Sequence, residues 1–287
     1  MPDSTPTQLR IDQQLDVQVQ TITPALAEEW LGRNHSNRNI RATLVAQLVR
    51  DMKAGAFVFT SESIKFDWNG NLIDGQHRLT AISESGVTVQ SMVVRGLNPT
   101  VRATIDTGTK RSPSDALRMA GKGAGGRSMA AAIRLLIAIR NGQVTRAGDT
   151  PAAATHSEVL AFYDQGHETL DYCIAFANRT SRALNARPSA LGAAAYIAAE
   201  HGTLDEFTAF ISRAVAMEFA TGNDPARTLY KRLQTLRDES HMPSEELYYL
   251  LRAFNAALKG ERLAGMKSST GPGRSVIPTW NWGGVAA

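Results

Sequence analysis

The 287-residue chain is 43% hydrophobic and 20% charged, with a formal net charge of +4, a composition that supplies one substantial core or two modest ones and excludes a disordered chain. Its single cysteine, Cys173, excludes an internal disulfide and a multi-cysteine metal site. No run of about eighteen apolar residues occurs, which excludes a membrane span, and no charged start leads into an apolar run, so no export signal and a reducing, cytoplasmic setting are expected.

Residues 1–14 are rich in Pro, Ser, Thr and Gln and read as a loose arm. Alternation then predicts a strand over 15–20, and Pro24 opens a short helix to Leu31. After the polar stretch 32–39, the spacing of Leu44, Val45, Leu48, Val49 and Met52 predicts an amphipathic helix ended by Gly55. Residues 63–67 and 71–74 flank Trp68, Asn69 and Gly70, the composition of a β-hairpin. A helix over 76–85 stops at Gly86, and 87–95 reads as another strand. Pro99 opens a brief helix, and Ser112-Pro113-Ser114-Asp115 reads as a helix cap with proline at the first helical position. Further helices are expected over 127–140, 157–163, 166–178, 188–200, 204–217, 224–237 and 243–258, before a Gly/Ser/Pro-rich tail that ends in Trp280-Asn281-Trp282.

The most informative segment is Leu72-Ile73-Asp74-Gly75-Gln76-His77-Arg78, where a strand breaks into a helix through glycine and three polar residues. N–H groups at a helix start lack intrahelical partners and carry partial positive charge, so Gly75 with Arg78 one turn in suits a phosphate. His77, in the first helical turn, is expected to be neutral because the dipole disfavours imidazolium. It can donate to a phosphate, act as an acid or base, or bond a backbone carbonyl. Asp74 abuts the glycine and is the candidate for a catalytic carboxylate or a Mg²⁺ ligand, while Asp67 reads as a turn residue.

Between Arg95 and Arg146 ten Lys or Arg face two Asp. Arg102, Lys110, Arg118, Lys122 and Arg127 in that stretch are candidate DNA contacts. Gly121 to Ser128 superficially fits a phosphate-binding P-loop, but no strand precedes it and Arg127 stands where lysine belongs, so it reads as a helix connector. Asp106-Thr107-Gly108 has the letters of an aspartic-protease triplet without the β scaffold that chemistry needs. Asp106 is carried forward as a third catalytic candidate beside Asp74 and His77. The six histidines have no ligand spacing, which argues against a structural zinc site.

Asn37-Arg38-Asn39-Ile40-Arg41, the helix ending Asp51-Met52-Lys53-Ala54-Gly55, the strand pair and Asp74-Gly75-Gln76-His77-Arg78 together resemble the ParB/sulfiredoxin-like superfamily. The later Asp106-Thr107-Gly108 and Arg111 resemble its phage-associated branch. The resemblance covers roughly residues 15–120 and implies an α+β architecture: a ParB/sulfiredoxin-like N-terminal domain with a small mixed sheet, then an all-helical domain over 121–262 and a tail over 263–287. It implies that Gly75, Gln76, His77 and Arg78 bind nucleotide phosphates, helped by Asn37, Arg38, Arg41 and Arg111, with a nucleoside triphosphate, CTP or ATP, and Mg²⁺ as cofactors. Gln76 and His77 replace the glutamate and paired arginines of partition proteins, and the sulfiredoxin cysteine is absent, which rules out its sulfinic-acid repair.

The leading expectation is a nucleotide-phosphate-binding, ParB-like protein associated with DNA, able to form a homo-oligomer, with NTP hydrolysis or phosphoryl transfer as its chemistry if it has any. Two alternatives stand beside it. One is a nuclease whose Asp67, Asp74 and Asp106 hold a divalent metal, and the other is a non-enzymatic DNA-binding adaptor.

Overall fold

The computed structural model describes residues 15–35, 39–60, 62–103, 112–122, 126–145, 153–236 and 239–266, with Arg102 and Ala103 described by backbone alone. The chain divides into two compact units, residues 1–110 and 111–287. Its class is α+β, with a four-stranded mixed sheet in the first unit and helices throughout the second.

In the first unit, β1 (Asp16–Ile22) leads into α1 (Pro24–Leu31), whose N-cap Thr23 accepts the N–H of Leu26 and whose first residue is proline, as that position favours. Next come α2 (Ala42–Lys53), β2 (Ile64–Asp67), β3 (Leu72–Asp74), α3 (Gln76–Ser85), β4 (Val89–Leu97) and a 3-10 turn at Pro99–Ala103. The strand order is β1-β4-β2-β3, with β4 antiparallel to β1 but parallel to β2. The β2–β3 hairpin closes on Asp67, whose carboxylate accepts the backbone N–H groups of Asn69 and Asn71 and the Asn71 amide. Its register shifts between Lys65 and Phe66, pairing Lys65 with Asp74 and Phe66 with Leu72.

α3 packs against both α1 and α2, and its apolar residues Leu79, Ala81 and Ile82 join Ile22, Trp30, Val45, Met52, Ile64, Phe66, Leu72 and Val93 in one core. Trp30 and Phe66 meet edge to face at 5.1 Å, and the Arg95 guanidinium lies 5.2 Å from the Trp30 ring centroid, so one cation covers the rim of this core.

The second unit holds α4 (Pro113–Met119), α5 (Gly126–Arg140), α6 (His156–Leu184), α7 (Pro188–Glu200), α8 (Leu204–Ala216), α9 (Pro225–Thr235) and α10 (Pro243–Leu258). α4 opens at the cap expected from Ser112 and Pro113, and the cap is a full capping box, Ser112 accepting the Asp115 N–H and Asp115 accepting that of Ser112. α7, buried from Ser189 to Ala198, is the centre and packs on α5, α6, α8 and α10. Its small residues permit this crowding: a Cβ on Gly192 would sit 2.4 Å from Ile174 Cδ1. The two helices expected over 157–163 and 166–178 form the two arms of α6, which meet at a non-helical Gly166, and the second arm runs on to Leu184; a Cβ on Gly166 would sit 2.5 Å from the Tyr196 hydroxyl. Among the described residues no helix is long and apolar enough to cross a membrane.

Candidate functional site at the start of α3

Each residue of the Asp74–Arg78 segment ties a different part of the first unit to the start of α3. Asp74 ends β3 opposite Lys65 because of the register shift, and its Oδ2 pairs with Lys65 Nζ at 2.5 Å while Oδ1 accepts the Gly75 N–H at 2.8 Å. Gly75 caps the helix with φ at +102°, and a Cβ there would lie 3.1 to 3.3 Å from atoms of Ile64. Both conditions demand glycine, since L side chains rarely adopt that backbone and the β2 strand leaves no room.

Gln76 is buried and its Oε1 accepts the Asn34 amide at 2.9 Å, holding the end of α1, while Arg33 O accepts the Leu72 N–H. His77 is also buried, and its Nε2 accepts the backbone N–H of Arg41, the N-cap residue of α2, at 3.0 Å. An accepting Nε2 carries no proton, which agrees with the neutral ring expected at a helix start. Nε2 is thus engaged by a backbone donor.

Arg78 turns its guanidinium toward the segment before β2. Nη1 donates to Glu62 O, and Nη2 donates to Ser63 O at 2.8 Å. Burial lowers its pKa from the ordinary arginine value, outweighing the nearby carboxylates of Asp74 and Glu62. The start of α3 is thus ringed by Asn34, Arg41, Glu62 and Ser63, from three separate stretches of chain.

Asn37, Arg38, Asp106, Lys110 and Arg111 lie outside the described residues, as does the side chain of Arg102. Asn34 and Arg41 flank the segment that carries Asn37 and Arg38 and are both brought to α3. Arg118, Lys122 and Arg127 belong to the second unit, around the turn between α4 and α5. Asp67 keeps the turn role read from sequence, its carboxylate engaged by three hydrogen bonds. Among the described residues no three His, Cys, Asp or Glu cluster to hold a metal, so a Mg²⁺ at Asp74 would draw its other ligands from the nucleotide and water.

Two partners escaped the sequence reading. Lys65 was detectable in principle, because opposite charges on the two arms of a hairpin pair across it. Asn34 carries no such signal, lying 42 residues from Gln76 in a polar loop.

No family model and no curated protein matches the chain. Among solved structures, the chain is similar to a Pnob8-like ParB-N domain, with 14% identity, 77% of this chain and 98% of that chain covered, and a TM-score of 0.22, a level at which the likeness carries no argument about fold or function.

Proposed function

We propose that the first unit binds the phosphates of a nucleoside triphosphate, CTP or ATP accompanied by Mg²⁺, at the start of α3, in a ParB-like protein associated with DNA. The observation that carries this reading is Arg78: a guanidinium whose burial outweighs its neighbouring carboxylates, held beside a helix start whose cap has no side chain. An anion at that point compensates both the desolvated cation and the helix dipole. Two of the five guanidinium donors are engaged by Glu62 and Ser63, and the rest of the fork serves phosphate oxygens. Gly75 and the N–H groups that follow it cradle the phosphate, and Arg41, held at the start of α3 by His77, adds charge beside it.

This is a reading of binding first. Hydrolysis or phosphoryl transfer would need a proton acceptor, and the two described candidates already serve the fold, Asp74 with Lys65 and His77 with Arg41. Calorimetric titration of CTP, ATP, GTP and their diphosphates, with Mg²⁺, against the wild type, Arg78→Ala and Arg78→Lys tests it. A triphosphate is expected to bind the wild type and to lose about tenfold or more in affinity in either variant, the loss of a charged hydrogen bond. Absence of binding by the wild type at millimolar nucleotide overturns the reading.

A further inference from the structure

We propose that the concavity at the α4–α5 turn of the second unit is a phosphate-binding site, distinct from the one at Gly75. It has a volume of about 740 Å³, and its wall carries Ser112, Ser114, Asp115, Arg118, Lys122 and Arg127. Three cations thus face one carboxylate.

The carboxylate is already spent. Asp115 accepts the Ser112 N–H at 2.9 Å and its hydroxyl at 2.7 Å, and takes Arg118 Nη2 at 3.0 Å, which holds its pKa below the ordinary carboxylate range. Lys122 is satisfied by Asp164, with both carboxylate oxygens at 2.5 and 2.6 Å. Arg118 keeps 80% of its side chain exposed despite its pair, and Arg127 has no ion-pair partner among the described residues.

Arg127 also occupies the worst place on its helix. It lies in the first turn of α5, a 15-residue helix with no acid in that turn, so its charge meets the positive end of the helix dipole. A local rule broken without compensation among the described residues is expected where a ligand completes the arrangement. An anion between Arg127 and Arg118 relieves the repulsion. Donors approach it from two helices, Ser114 and Arg118 on α4 and Arg127 with the α5 start, which suits a tetrahedral phosphate better than a planar carboxylate.

The test is calorimetry of the full chain with inorganic tripolyphosphate as the probe. The wild type is expected to take two equivalents, one at each site, and Arg118→Ala/Arg127→Ala to take one, with a melting temperature no lower than the wild type's, because both side chains are exposed and Arg127 opposes the α5 dipole. A double-variant titration that superimposes on that of the wild type overturns the proposal. Arg78→Lys separates the two sites: if its titration matches the wild type while the double variant loses an equivalent, the nucleotide reading fails and the α4–α5 site stands. Adding a short DNA duplex identifies the source of the phosphate. Salt-sensitive displacement of the α4–α5 equivalent assigns it to a polynucleotide backbone, and its persistence assigns it to a small phosphorylated compound.

Discussion

His77 takes the backbone N–H of Arg41 onto its Nε2 at 3.0 Å, so the first turn of α3 holds the N-cap of α2 in place across 36 positions of sequence. Replacing His77 with Ala leaves that N–H without its acceptor and is expected to cost about 1–2 kcal/mol in chemical denaturation. The ring should carry its proton on Nδ1, which nitrogen chemical shifts report directly. A ring protonated on Nε2 would be incompatible with this contact.

Gly75→Ala attacks the same junction through the backbone. Its φ of +102° and the 3.1 Å approach to Ile64 both oppose a methyl group, and the expected loss is about 1–3 kcal/mol, seen as a lower denaturation midpoint at unchanged slope. A variant as stable as the wild type would show that the turn relaxes freely.

Cys173 is fully buried in the second unit, and burial pushes its thiol from the ordinary 9.0 up to about 12. The unfolded thiol ionises first as pH rises, so its contribution is complete below about 9 and is lost as pH climbs toward 12. Denaturation of the wild type and Cys173→Ala should therefore diverge across that window, the wild type losing more stability. The native thiol should also resist alkylation at neutral pH and react only on unfolding.

Asp224 works in the opposite sense. Burial tends to raise its carboxyl, but the N–H groups of Ala220 and Ala226 and the Arg213 guanidinium outweigh it and hold the pKa below 3.8. The stabilisation is present above that ordinary value and is lost as pH falls through the depressed one. Asp224→Asn should cost about 1–3 kcal/mol at neutral pH, the worth of hydrogen bonds to a charged group. The gap from the wild type should shrink on acidification, and an unchanged gap at low pH would contradict the assignment.

Element boundaries were legible wherever a local signal existed. Pro24, Pro113, Pro188 and Pro243 open their helices in the structure, as proline at a first helical position leads one to expect. The hairpin around Gly70 and the αL stop at Gly86 were equally local. The break in α6 was local too, since Gly166 leaves the helical conformation where the pattern stops, with the Tyr196 hydroxyl close against it. At the α3 start the sequence marked the place but not the wiring. Glu62 and Ser63 reach Arg78 across 16 and 15 positions, as backbone carbonyls on which sequence identity leaves no mark.

The shifted register of the β2–β3 hairpin ties sequence length to chemistry. One residue added or removed between Asp67 and Asn71 would slip β3 against β2, whose place β4 holds from the other side, and would carry Asp74 away from Lys65 and Leu72 away from Phe66 in the same step. Length variation in that turn therefore cannot drift independently of the α3 start. Chains that keep this junction should keep the turn at its present length.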